Sequence, residues 1–198
     1  MEKHTSIKEQ LVSKSLDYFQ KYGSREITMD DLASHFGISK KTLYNYFKSK
    51  EYLVTACVTH MWSHFDSQIH EILSLKVHPL LKIIYIYDLG IQELRKVDAQ
   101  FLWSIKRYFP EAMEQYETLR KKLIHETVLG LLKEAVANKA VFSFIDLKLF
   151  CELNLENFDL NLYQFQLFER FSNDAILEHT IVSKLRGITF NNYLYLYD

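Results

Sequence analysis

The sequence predicts an all-α protein, with an N-terminal three-helix helix-turn-helix domain followed by a C-terminal helical bundle. Three observations carry that reading. The 198-residue chain has five glycines and two prolines, too few breakers for the tight turns of a multi-strand sheet. Apolar residues make up 48% of the chain and recur at helical spacing over most of its length. Serine or threonine stands just ahead of several such stretches, where a helix needs an oxygen to accept its free N–H groups. The length suits one ordinary domain or two small ones and is ample for a buried core.

Taken in order, Ser6 to Tyr22 places Ile7, Leu11, Val12, Leu16 and Phe19 on one helical face. Gly23 then suits a left-handed C-terminal cap. In ITMDDLASHFG, Thr28 is a natural N-cap and Asp31 stands three residues on, a capping-box pair with Asp in place of Glu. Leu32, Ala33 and Phe36 face inward, and Gly37 closes a helix of about two turns. Ser39 caps a second short helix with Leu43 and Phe47 on its inner side. Ser49 caps a third that continues through Leu53, Val54, Val58 and Met61, as far as about Leu75. Two short helices joined by a tight Gly-containing turn, packed on a longer first helix, describe a helix-turn-helix.

Further along, Pro79 opens a helix carrying Leu80, Ile83, Ile84 and Tyr87. A shorter segment is predicted from Ala99 to Tyr108. Pro110 then starts helical spacing that lasts to Ala137. From Asp146 one or two long helices, dense in Leu and Phe, are expected. The final NNYLYLYD alternates like a strand without an evident partner.

Charge supplies the functional clue. The formal net charge is −1, yet residues 1–56 hold nine Lys and Arg against seven Asp and Glu. Lys40 and Lys41 follow the capping Ser39, and Lys48 and Lys50 flank the capping Ser49. A helix start carries a partial positive charge, so a cation there costs about 0.3–1 kcal/mol. A polyanion across both starts turns that cost into attraction, because free N–H groups at helix starts already bind phosphate. Tyr44 and Tyr46 point about 200° apart on a helix, so at least one leaves the core and offers a hydroxyl to phosphate. Asn45 lies outside the core by the same periodicity and can pair with the edge of adenine.

The stretch Ile27 to Leu53, ITMDDLASHFGISKKTLYNYFKSKEYL, resembles the N-terminal DNA-binding region of the tetracycline-repressor (TetR) family. The resemblance lies in Thr28, Leu32-Ala33, Gly37-Ile38-Ser39, Thr42-Leu43-Tyr44, Tyr46-Phe47, Ser49-Lys50-Glu51 and Leu53. It reaches back through Ile7, Leu16, Phe19 and Gly23, and departs at Ser15, where the family often has alanine. It covers about the first quarter of the chain. RYFPEA (Arg107 to Ala112) and KLRGIT (Lys184 to Thr189) are similar to a subset of members. The resemblance implies that the helix from Ser39 to Phe47 enters the major groove. Lys40, Lys41, Thr42 and Asn45 would approach bases there, and Thr28, Tyr44, Tyr46 and Lys50 would hold phosphates. It further implies that residues 1–53 bind DNA. Residues 54–198 would then form an effector-binding domain that dimerises through its last two long helices.

That second region is aromatic and helical. Met61, Phe65, Phe101, Trp103 and Tyr116 are the expected wall of an apolar cavity, beside the plainer reading of such side chains as core. The dimer interface is expected in Leu147 to Phe171 and Ile176 to Leu185, because one short helix in a groove gives too few contacts for tight specific binding.

Other classes are disfavoured. His60 and His64 stand four apart on one helix but have no third ligand, so no metal is expected. No nucleophile triad or phosphate loop stands out, so neither an enzyme nor a cofactor is expected. Cys57 and Cys151 have no metal-ligand spacing and read as buried thiols. The start MEKHTSIKEQ has no apolar core and no stretch is long and apolar enough to span a bilayer, so a cytoplasmic protein is expected. The sequence is identified as a ligand-responsive regulator, a repressor that binds a palindromic operator as a homodimer. Its partners would be double-stranded DNA and a small apolar or amphipathic effector. The alternatives are a helical interaction or scaffold protein, and a regulator answering to a protein partner.

Overall fold

The computed structural model describes residues 6–97, 99–155 and 166–190. The chain is all-α, 78% helical and without a strand among the described residues, with an isolated bridge between Val141 and Thr189. The helices are α1 (Ile7–Tyr22), α2 (Met29–His35), α3 (Lys40–Tyr46), α4 (Lys50–Ser74), α5 (Pro79–Lys96) and α6 (Ala99–Tyr108). They continue as α7 (Pro110–Lys122), a π-helical stretch (Leu123–Val128), α8 (Leu129–Ala137) and α9 (Leu147–Asn154). After residue 165 come α10 (Leu167–Arg170), α11 (Asn173–Leu177), a second π-helical stretch (Glu178–Val182) and α12 (Ser183–Arg186).

Two compact units result. The first comprises the chain up to His64 together with Val97–Thr118; the second comprises Phe65–Lys96 and the chain from Leu119 on.

In the first unit the capping serines and threonines are where the sequence places them. Ser6 and Glu9 form a full capping box at α1. Gly23, at φ 82°, returns its N–H to the Phe19 carbonyl. The core is built from Phe19, Leu32, Leu43, Phe47, Leu53, Val54, Val58 and Phe101, none of them accessible to solvent. Burying one such side chain contributes roughly 1.5–3 kcal/mol, so this small unit rests on these contacts more than on helix propensity. Ser15 is buried as well, and its hydroxyl donates to the Leu11 carbonyl at 2.7 Å. That bond is what lets a serine stand among apolar neighbours. Ser24 and Ser104, both buried, satisfy each other across the α1–α2 loop and α6.

In the second unit α5 runs through the core, burying Leu80, Ile83, Ile84 and Ile91 against α8 and α11. The helical spacing from Pro110 to Ala137 is real, but one turn of it, Leu123–Val128, is π-helical. The tail differs from the long helices expected. Asp146 caps α9 by accepting from the N–H groups of Lys148 and Leu149, and α9 ends at Asn154. A break at Phe171, where the backbone is extended, separates α10 from the helical run that starts after Ser172. Arg95 holds that break: its guanidinium donates to the carbonyls of Phe168 and Phe171 and to the Asn173 amide oxygen, at 3.0, 2.8 and 2.6 Å. Three donors in a fixed fork suit two carbonyls near a helix end and a side-chain amide oxygen.

Ile176, Leu177, Ile181, Val182 and Leu185 all face this unit's own core. The apolar spacing read as an interface between copies is therefore intramolecular over that stretch. Phe158, Phe165 and NNYLYLYD lie outside the described residues. Both cysteines are buried, and burial pushes each thiol up, that of Cys151 to about 11. Among the described residues no group of His, Cys, Asp and Glu is placed to hold a metal ion, and no helix is long and apolar enough to cross a membrane.

Candidate nucleic-acid interface

The motif is assembled by caps at three successive helix ends. Thr28 accepts the Asp31 N–H at 3.1 Å, while the Asp31 carboxylate accepts the Thr28 N–H at 2.8 Å and its hydroxyl at 2.6 Å. Those bonds hold the Asp31 carboxyl below its ordinary range. At the other end of α2, the Ile38 N–H reaches the Ala33 carbonyl and the Gly37 N–H reaches Ser34, at 3.0 and 3.1 Å. This is a Schellman ending, and it needs a left-handed residue; Gly37 supplies it at φ 67°. Ser39 then starts α3, its Oγ accepting the Thr42 N–H at 3.0 Å and sharing a hydrogen bond with the Thr42 hydroxyl at 2.8 Å.

These caps orient α3. Leu43 and Phe47 are fully buried, so the opposite side must face outward. Lys40, Lys41, Tyr44, Asn45 and Lys48 are exposed there, with Thr42 and Tyr46 half-buried beside them. Tyr44 is 41% exposed, and Tyr46 packs at the edge of the core, 6.3 Å from the Phe47 ring. The structure thus groups Ser39, Lys40, Lys41, Thr42, Tyr44, Asn45 and Tyr46 on or beside α3, with Thr28 heading α2.

Two of the four lysines are less free than the sequence suggests. Lys40 pairs with Asp30 across the turn, its Nζ 2.8 and 2.9 Å from the two carboxylate oxygens, and this raises its pKa. Lys50, expected on phosphate, is half-buried. Its ammonium donates to the Arg25 carbonyl at 2.7 Å and lies 5.6 Å from the centre of the Phe109 ring. Burial lowers its pKa, with Glu26 and Asp31 opposing. Lys41 and Lys48 are exposed and form no ion pair among the described residues. Asp30 and Lys8 escaped the sequence reading. Lys8 lies over the rings of Tyr52 and Phe47, at 5.5 and 5.9 Å. No spacing rule links Lys8 to Tyr52 or Asp30 to Lys40.

The five residues expected to line a cavity are not brought into one core. Phe101, Tyr116 and Met61 belong to the core of the first unit, where Tyr116 meets Trp62 edge-on at 5.9 Å. Trp103 is 54% exposed, edge-on to Tyr108 at 5.9 Å and with the Arg107 guanidinium 5.1 Å from its ring centre. Phe65 packs against the core of the second unit.

Residues 11–57 match the family model described as bacterial regulatory proteins, tetR family. The chain is 29% identical over 167 residues to the uncharacterized HTH-type transcriptional regulator YvaF of Bacillus subtilis (strain 168), covering 82% of this chain and 85% of that protein. In fold it is similar to a TetR/AcrR-family transcriptional regulator from Thermobifida fusca. The TM-score is 0.74 at 21% identity, over 91% of this chain and 97% of that one. It is also similar to the regulator FadR of Bacillus subtilis in complex with stearoyl-CoA, with TM-score 0.69 and 14% identity over 90% and 98% of the two chains. Capped helix-turn-helix, outward lysines and family match agree: residues 11–57 form a tetR-family DNA-binding domain, and the chain is a DNA-binding transcriptional regulator.

Proposed function

We propose that the protein is a homodimeric repressor of a palindromic operator, released by a small apolar or amphipathic molecule. Residues 1–53 read DNA, and residues 54–198 bind the effector and dimerise. The observation that carries this reading is the outer face of α3, where Lys40, Lys41, Thr42 and Asn45 stand together above a buried Leu43 and Phe47. Inserted in a major groove, Lys41 and Asn45 contact base edges, with Lys40 and Thr42 beside them. Tyr44, Tyr46, Lys48 and the backbone around Thr28 hold phosphates and fix the register. A dimer doubles those contacts where the two reading helices stand about 34–36 Å apart, one turn of DNA.

Exposed apolar side chains in the second unit support a self-association surface. Leu149 and Leu153 stand four apart on α9, 50% and 74% exposed, and Phe144 ahead of it is 79% exposed. The effector would bind within the second unit, close to Phe65. In that unit the Gln68 Oε1 is buried without a hydrogen bond, which suits a donor group on a ligand. The stearoyl-CoA held by the similar FadR makes a long-chain acyl thioester the first molecule to try. The effector releases DNA only to the extent that it binds the released state more tightly than the DNA-bound one.

Selecting bound duplexes from a random pool tests the reading. The expected product is an inverted repeat whose half-sites are centred about one helical turn apart. Enrichment of a single unrepeated half-site refutes the dimer, and no enrichment at all refutes sequence reading.

A further inference from the structure

We infer that Lys8, in the first turn of α1, is a phosphate ligand that carries the DNA interface from α3 onto α1. The inference rests on the reading that the outer face of α3 enters the groove. Lys8 is exposed, and its ammonium stands 5.5 Å from the centre of the Tyr52 ring and 5.9 Å from that of Phe47. Those two rings, 6.4 Å apart, bracket Lys48 in the chain. Tyr46, proposed on phosphate, lies 6.3 Å from the same Phe47 ring. The first turn of α1 therefore borders the turn from α3 to α4, where Lys48 is exposed.

The contacts of Lys8 suit an anion. A helix start is a poor place for a cation, since the dipole repels it. What holds Lys8 there is two aromatic rings. The acid of the same turn is used elsewhere: the Glu9 carboxylate accepts the Ser6 N–H at 2.8 Å to close the capping box. Lys8 itself forms no ion pair among the described residues. A ring attracts an ammonium through its quadrupole and offers no lone pair in return, so the three N–H donors remain available to phosphate oxygens. A phosphate bound there displaces no carboxylate, in contrast to Lys40, which Asp30 holds. The rings also keep a long, flexible side chain in place before DNA arrives, which lowers the ordering cost of the contact. Phosphates follow one another every 3.4 Å or so along the axis of a strand, about one per base, so a backbone held at Lys48 offers neighbours to a cation beside it. Such a contact reads no base, and its effect is the same for every sequence.

The test compares Lys8→Met, Lys41→Met and Lys21→Met on the full chain. Methionine keeps an unbranched apolar stem and removes the charge. Lys21 is the control: it stands in the last turn of α1, ~20 Å from Lys8 along the helix, with its ammonium 5.1 Å from the Tyr22 ring centre. Affinity for a labelled 30-base-pair duplex of mixed sequence is measured by fluorescence anisotropy from 50 to 300 mM KCl, with circular dichroism to confirm folding. Lys8→Met is expected to reduce the salt slope by about 0.9, so that its loss of affinity shrinks about fivefold across that range. Lys21→Met is expected to leave the slope unchanged. An unchanged slope in Lys8→Met beside a reduced one in Lys41→Met overturns the inference and leaves the α3 reading standing. Unchanged slopes in both remove the α3 reading and the inference with it. An equal reduction in Lys21→Met makes the effect one of net charge and also overturns it. If Lys8→Met does not fold, acetylation of the wild-type lysines by acetic anhydride, read by mass spectrometry, decides instead. A saturating duplex should then protect Lys8 severalfold and leave Lys21 unprotected, and equal labelling of Lys8 with and without DNA refutes the contact.

Discussion

Asp30 pairs with Lys40, which we propose stands at DNA, and removing its charge should tighten binding. Its carboxylate holds Lys40 at 2.8 Å, with both side chains about three-fifths exposed. A phosphate bonded to the same ammonium would sit about 6 Å from that carboxylate, since each bond spans about 2.8 Å. Two like charges at about 6 Å in water repel by about 0.7 kcal/mol, or about threefold in Kd. A second phosphate at similar range brings the effect to about tenfold at low salt. Screening then erodes it as the Debye length falls from about 14 Å at 50 mM to about 6 Å at 300 mM. Asp30→Asn keeps the shape and removes the charge. Binding of a labelled mixed-sequence duplex, followed by fluorescence anisotropy across that salt range, should therefore show about three- to tenfold tighter binding at 50 mM and a steeper slope. Glu114→Gln, the same charge change outside the three reading helices, controls for net charge. Equal affinity of Asp30→Asn and wild type at 50 mM, with the fold intact, would refute the placement of Lys40 at DNA. A gain matched by Glu114→Gln would reduce the effect to net charge.

Three other outcomes follow from the caps and from the exposed face of α9. Ser39→Ala removes the acceptor for the Thr42 N–H and should cost about 1 kcal/mol, a fall of about 2–4 °C in Tm read by circular dichroism, with DNA affinity lowered uniformly across sequences. Asp31 bonds Thr28 as a carboxylate, so its contribution is complete above the ordinary aspartate value of 3.8 and is lost as pH falls through its lower folded value. Asp31→Asn should accordingly lose less stability than wild type between pH 5 and about pH 2, and equal losses would remove the carboxylate from the cap. Leu153→Lys puts a charge on a side chain that is 74% exposed, so the fold should persist while sedimentation shows a monomer; an intact dimer would move the interface elsewhere.

The helix-turn-helix was legible because each of its ends is local. Thr28 with Asp31, Gly37 after Phe36, and Ser39 before Thr42 lie within a few residues of their partners, so the sequence states the bond as well as the residue. The segment Ala99 to Tyr108 was equally plain, bounded by a helical stripe on one side and Pro110 on the other. The π-helical turn at Leu123–Val128 was not legible, since no residue type marks such a turn as Gly or Pro marks a helix end. The cavity wall was harder to read for a related reason. Helical spacing marks Phe101 and Tyr116 as inward without telling core from ligand wall, and both are core.

The same limit explains the tail and the lysines, and it reshapes what each can do. A stripe such as Ile176 to Leu185 shows that one face is covered, never by what. It is covered by the unit's own core, so cutting the chain after Phe144 would remove core and unfold the unit instead of separating a dimer. The proposed self-association then falls to side chains that remain exposed, Leu149, Leu153 and Phe144. For charge, the helix dipole makes four lysines at two helix starts look equally out of place. The fold answers two of them internally, Lys40 through Asp30 and Lys50 through the Arg25 carbonyl and Phe109. The proposed attraction to phosphate therefore rests first on Lys41, Lys48 and the two capped helix starts. A lysine that an acid or a carbonyl already holds contributes to DNA binding only the difference between its two partners.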